Sequence, residues 1–166
     1  GDRVRVQFFD DGSVTVQDSG RGIPVDKSRD ASGREVSGIV KCLGIIQSGG
    51  KFGSGASYSA GLNGVGASST IHCSKRADVT VFRGGKRYSV SFADGVPGFF
   101  DKRGEFTELS DYSRLRVSKD SRGVEERRLF PTGTCVRVWL RDEVFASDAP
   151  FDAAESVSYT HLTLPT

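Results

Sequence analysis

Strict alternation of apolar and polar side chains on either side of glycine turns is the feature that most narrows what this chain can become. Val4, Val6 and Phe8 alternate with Arg5, Gln7 and Phe9; Asp10-Asp11-Gly12 follows, and then Val14 and Val16 alternate with Ser13, Thr15 and Gln17. Two such runs about an Asp-Gly turn predict an antiparallel hairpin, with Gly12 taking up a positive φ. Val79 and Val81 before Gly84-Gly85, with Tyr88, Val90 and Phe92 after it, predict a second hairpin. Thr134, Val136 and Val138, alternating with Cys135, Arg137 and Trp139, predict one more strand. A chain so patterned is committed to a sheet with one apolar face.

Helical spacing interrupts the strands. Val36, Ile39, Val40, Leu43 and Ile46 recur at three- and four-residue steps, and Gly49-Gly50 ends the run. Gly53, Gly55, Gly61, Gly64 and Gly66 crowd the next stretch too densely for an element interior, after which Ala67 to Cys73 resumes a helix. From Gly98 to about Pro131 the pattern dissolves into mixed charge and reads as a solvated excursion with a short edge strand. The chain opens inside a strand, so whatever precedes that strand in a complete domain is expected to be missing. Residues 1–150 therefore read as a partial domain. Residues 151–166 read as a tail: from Ser156 onward, Ser-Val-Ser-Tyr-Thr-His-Leu-Thr-Leu-Pro-Thr matches no expected element and looks non-native.

Composition removes several functions. Lys+Arg 23 against Asp+Glu 21 leaves a net charge of +2, too balanced for bulk charge to argue for nucleic-acid or membrane binding. No apolar run approaches the roughly 20 residues of a membrane helix. The cysteines, Cys42, Cys73 and Cys135, are odd in number and far apart, which fits reduced thiols in the cytoplasm. With His72 and His161 as the only histidines, the sequence argues against a zinc cluster, and a Ser-His-Asp triad would have to use His72, which has no nucleophile-elbow sequence to serve.

Two loops carry chemistry. In Asp18-Ser19-Gly20-Arg21-Gly22-Ile23-Pro24, a carboxylate ends a strand beside glycines that allow close backbone approach. Such a carboxylate can accept from an exocyclic amine, with Ile23, Pro24, Val16 and Val136 as apolar walls for a flat ring; equally, it can be a turn aspartate that bonds its own backbone. Gly61-Leu62-Asn63-Gly64-Val65-Gly66 runs into a helix, where bare backbone N–H groups can cradle phosphates; equally, it can be simply a flexible loop. A P-loop would need glycine at Ile45 and a hydroxyl at Phe52, and a dinucleotide fingerprint would need a third glycine after Gly20-Arg21-Gly22, so neither fits.

Taken in order, Val16 to Asp26, Ser48-Gly49-Gly50-Lys51-Phe52, Gly61 to Ser68 and Pro131-Thr132-Gly133-Thr134 before Val138-Trp139 resemble the ATPase domain of the type IIA DNA topoisomerases, as found in gyrase B and its topoisomerase IV counterpart. The likeness runs over about residues 1–150. Asp-x-Gly-x-Gly alone also suits heat-shock chaperones, MutL proteins and histidine kinases of the same fold; Gly-Gly-Lys-Phe and Thr-Gly-Thr single out the topoisomerases. The resemblance implies an α+β fold, a two-layer α/β sandwich of the GHKL (Bergerat) type, with helices and a glycine-rich lid on one face of a mixed sheet. It implies that Asp18 bonds the adenine amino group of ATP, that Gly22 and Thr134 share an ordered water with it, and that Gly61, Leu62, Asn63, Gly64, Val65 and Gly66 wrap the triphosphate. Lys51 and Arg83 match basic residues lining the site, or are simple surface cations; Arg21 matches a residue paired with a carboxylate upstream.

The resemblance further implies Mg2+ as cofactor, and DNA, the partner topoisomerase protein that cleaves DNA (gyrase A or its topoisomerase IV counterpart) and a second copy as partners of the parent protein, in the cytoplasm and without a membrane. It assigns no catalytic residue here, because the family's general-base glutamate and magnesium-binding asparagine lie on a helix before the first hairpin. The fragment itself is therefore expected to be inactive. Asn63 stands where bacterial relatives usually carry histidine, the lid is shorter and the preceding helix longer than the family pattern. A non-catalytic nucleotide-binding module of the same fold is the alternative reading.

Overall fold

In the computed structural model, which describes residues 1–44 and 66–142, the alternating runs pair as predicted. The strands are β1 (Val4–Phe8), β2 (Ser13–Asp18), β3 (Lys27–Arg29), β4 (Glu35–Ser37), β5 (Ser74–Arg83), β6 (Lys86–Ala93), β7 (Val96–Phe100), β8 (Phe106–Glu108), β9 (Arg116–Lys119) and β10 (Gly133–Leu140). Between them lie a π-helical turn, Val40–Gly44, and two short helices, α1 (Gly66–His72) and α2 (Val124–Leu129). Eight strands form one sheet in the order β1-β2-β10-β5-β6-β7-β8, with β9 alongside β6; β3 and β4 make a separate two-stranded hairpin.

Register explains the core. Val6 faces Val16, Val16 faces Val136, Val136 faces Val79 and Val79 faces Val90, a row of valines across β1, β2, β10, β5 and β6. The next row holds Phe8, Val14, Val138, Ala77 and Phe92. Branched side chains suit the pleated surface, and period 2 puts all of them on one face. Val36 of β4, Ile39, Val40 and Leu43 of the helical segment and Ile71 of α1 are buried against this face and close the core. These are the two layers of the sandwich.

The opposite face is polar yet largely shielded. Ser13, Thr15 and Gln17 are buried there. Arg137 lies over Phe9 at 4.0 Å and over Trp139 at 4.7 Å, and Arg76 over Phe100 at 4.3 Å and Trp139 at 4.7 Å. Guanidinium planes stacked on rings cover the sheet while their charges are met by Asp11 and Asp78. Glu126 of α2 accepts from Arg5 Nη1 at 2.9 Å and from Gln17 Nε2 at 3.1 Å, which seats α2 on this face.

Three expectations need correction. Every pairing in the described sheet is antiparallel, not mixed, because β10 returns between β2 and β5 against both of them. Val36 lies in β4, not in a helix: Ser28 pairs with it, and a strand residue can fill the same apolar core that a helical one would. The charged stretch 101–130 is more structured than a loop with one edge strand, holding β8, β9 and α2. The first and second hairpins, a helix over most of 67–73 and the last strand stand where the sequence put them, and Gly12 has φ +75°. The run to Ile46 beyond Gly44 and the tail 151–166 lie outside the described residues. Among the described residues no helix is long and apolar enough to cross a membrane.

Phe92, fully buried at the centre of the apolar face, tests this packing. Phe92→Ala is expected to lower unfolding stability by about 3–5 kcal/mol in a denaturant titration; a change within about 0.5 kcal/mol would contradict the core as described. Asp11 tests the polar face. It accepts from Ser13 Oγ and Ser13 N, from Trp139 Nε1 and from Arg137 Nη2, and these donors hold its carboxyl down at about 2. With the folded value below the unfolded one, its contribution to stability is complete above the ordinary carboxylate range and disappears as pH falls through about 2. A carboxyl-carbon NMR titration of Asp11 is expected to show this low midpoint, and an ordinary midpoint near about 4 would rule the network out.

Candidate functional site

The end of β2 and the start of β10 lie side by side, and their loops interlock. Thr132 Oγ1 donates to the Gly20 carbonyl at 2.7 Å, and the Ile23 N–H donates to Thr134 Oγ1 at 3.0 Å. Residues more than a hundred positions apart are thus stitched together on both sides of Gly133. That residue has φ +139°, and a Cβ on it would lie 1.9 Å from the Asp18 carbonyl oxygen. Only glycine lets the two backbones approach so closely.

Asp18 is half-buried at the last position of β2. Its Oδ1 accepts from the Gly20 N–H at 2.7 Å, the turn bond expected of such an aspartate. Its Oδ2 makes no hydrogen bond among the described residues. Alternation along β2 places Asp18 on the face of Val14 and Val16, and Val136 stands opposite Val16. Val16 is 44% exposed on that face, so an apolar wall adjoins the carboxylate and is open.

Gly22, at φ +77°, completes the junction: a Cβ there would meet Val81 Cγ1 at 2.7 Å, Arg83 Cγ at 3.2 Å and the Gly133 carbonyl at 3.2 Å. The loop is therefore pressed onto β5 and β10 at the level of Thr134, whose register partner is Val81. Ile23 packs partly buried against the core, while Pro24 and Arg21 are more open to solvent. The structure thus brings Asp18, Gly22, Ile23, Thr134, Val16, Val136 and Arg83 into one neighbourhood.

Lys51, Gly61, Leu62, Asn63, Gly64 and Val65 lie outside the described residues. Gly66 is the first residue of α1, which packs on β5 through buried Ser68 and Ile71. Thr132 and Gly133 are positions at this junction that residue-type reasoning does not assign. Their signal is the Thr-Gly-Thr at the head of a strand, since a glycine where a strand begins marks close backbone approach. Among the described residues no group of three or more His, Cys, Asp or Glu side chains is placed to hold a metal ion.

No protein-family model matches the chain. Known proteins do. It is 41% identical over 164 residues to the topoisomerase TopoN of Mycolicibacterium smegmatis, covering 97% of this chain and 23% of that protein. It is 36% identical over 146 residues to the DNA gyrase B protein of Mycobacterium leprae, covering 86% of this chain and 18% of that protein. The chain thus spans under a quarter of the length of these curated relatives. Among solved structures, the 43K ATPase domain of Thermus thermophilus gyrase B, in complex with an aminocoumarin, superposes with a TM-score of 0.61 at 29% identity, covering 95% of this chain and 32% of that one. The topoisomerase IV ATP-binding domain of Francisella tularensis shares the fold, with a TM-score of 0.54 at 23% identity over 95% of this chain and 35% of that one. By sequence and by fold, the chain belongs to the gyrase B family of type IIA topoisomerases and corresponds to a stretch of its GHKL-type ATPase domain.

Proposed function

We propose that the junction of Asp18, Gly22 and Thr134 is the adenine end of an ATP site, and that the parent protein is an ATP-hydrolysing DNA topoisomerase. The observation that carries this reading is the state of the Asp18 carboxylate. One oxygen is fixed by the Gly20 N–H, which sets the plane of the group. The other is left to accept from an exocyclic amine, beside the open apolar surface of Val16 and Val136. A carboxylate acceptor discriminates among flat rings, because a ring without the amine would leave it desolvated and unpaired.

Thr134 serves orientation. Its hydroxyl oxygen is used by the Ile23 N–H, so its hydroxyl proton points away from that donor and is available to a ligand or a bridging water. Gly22 keeps the space above Val81 and Gly133 free of a side chain. In this reading Lys51 and the segment from Gly61 to Gly66 bind the triphosphate. ATP supplies the hydrolysable phosphoanhydride. Mg2+ would enter with the phosphates, since among the described residues no group of His, Cys, Asp or Glu is placed to hold it by itself. DNA, a DNA-cleaving partner protein of the gyrase A type and a second copy are the partners proposed for the parent, and the cytoplasm its compartment.

Calorimetric titration with ATP tests the assignment. Asp18→Asn keeps an oxygen for the Gly20 N–H but turns the free position toward a donor. ATP affinity is expected to fall by roughly one to two orders of magnitude, at about 1.4 kcal/mol per decade, with thermal stability unchanged. Unaltered affinity would reduce Asp18 to a turn residue. Gly133→Ala is expected to act differently. It forces the two backbones apart, so unfolding stability should drop by about 2 kcal/mol or more and ATP binding should be lost together with it. An alanine variant of wild-type stability would show that the β2–β10 approach is not constrained.

A further inference from the structure

The tip of the β5–β6 hairpin and the strand beside it form a cationic strip that starts at Arg83, beside the Asp18 junction, and runs away from it across β6 and β9. Register sets Arg83 opposite Lys86 and Lys86 opposite Lys119, three positive side chains abreast on one face of β5, β6 and β9. On the other face Arg87 stands opposite Ser118, and Arg116 opposite Ser89, one pair further along. None of these five cations takes part in an ion pair among the described residues. The nearest acid in sequence, Asp120, is committed to Arg122 at 2.7 Å and is 6% exposed. All four residues of β9 are exposed, and Val117, 55% exposed, is the one apolar side chain among them.

Like charges directly opposite each other destabilise a sheet. Protection of an edge against self-pairing explains a charge on β9, but it does not explain Arg83 or Lys86, which lie on interior strands. The strip is also held in shape: the Asp120 N–H donates to the Gly85 carbonyl at 3.0 Å, tying the end of β9 to the hairpin tip, and Arg122 lies over the Phe82 ring at 3.5 Å. A repulsive array held in place by its surroundings is an array built for an anion. An acidic protein partner would need an apolar centre to bury, and Val117 alone does not supply one. A phosphate backbone needs only spaced cations reachable from solvent, which both faces of this ribbon provide.

We propose that Lys86, Arg87, Arg116 and Lys119 form a contact surface for the phosphate backbone of duplex nucleic acid, beyond Arg83 and the Asp18 junction. The topoisomerase reading supplies only the identity of the polyanion; the site itself rests on the register. Binding is sequence-independent and salt-sensitive, as phosphate contacts are.

The test is fluorescence anisotropy of a labelled duplex of about 30 base pairs with the full 166-residue chain, between about 50 and 200 mM salt. The triple variant Lys86→Gln, Arg116→Gln, Lys119→Gln is expected to bind at least tenfold more weakly. Its log–log salt slope should be lower by about 2–3, from three lost phosphate contacts. A control with the same net charge, Lys75→Gln, Lys102→Gln, Arg103→Gln, should bind like the parent chain. Equal loss in both variants, or none in the first, would overturn the proposal, as would displacement of the duplex by polyglutamate of equal charge as effectively as by unlabelled duplex. Asp18→Asn should leave duplex binding intact, so failure of the ATP site and failure of this surface are read separately.

Discussion

The insertion of β10 between β2 and β5 is the constraint on which everything else in this fold depends. Without it the first hairpin would have no neighbour, the valine row would be cut after Val16, and Asp18 would end in solvent. The contact is possible because Gly133 carries no side chain where the Asp18 carbonyl passes. It joins residues whose sequence separation is 111 in the Ile23–Thr134 bond, so a large loop-closure entropy must be met by what it creates. What it creates is the continuous apolar face: Val136 and Val138 of β10 each have a register partner on both sides.

The same strand separates two kinds of chemistry. On one face it carries Thr134, Val136 and Val138, which finish the Asp18 junction and the core. On the other it carries Arg137 and Trp139, which close a polar surface by stacking and by bonds to Asp11. The loop from Asp18 to Pro24 is thus not a mobile appendage. It is clamped through Gly20 and Ile23 to the two threonines that flank Gly133, which holds the carboxylate in place, as the proposed binding role requires.

Much of this is legible in the residues. The hairpin turns at Gly12 and Gly84-Gly85, the alternation in the last strand and the Asp-x-Gly-x-Gly loop each declare themselves locally. Val36 does not, because a buried valine is consistent with either period when its neighbours are few. The stretch from Asp101 to Phe130 does not, because β9 and α2 owe their place to partners elsewhere: β9 to β6, α2 to Arg5 and Gln17. The family resemblance implies a mixed sheet, but strand direction is a property of the return path that no local pattern encodes.

Local composition fixed the turns, the faces of the strands and the residue types at the Asp18 junction, since these follow from side-chain period and from glycine's freedom alone. Tertiary structure decided which strands became neighbours, and with that which charges met. A net charge of +2 over the whole chain conceals both the neutralised arginines of the polar face and the row at Arg83, Lys86 and Lys119, which has no ion pair among the described residues. Electrostatic energy depends on the distances between charges rather than on their sum, and those distances exist only once the sheet has closed.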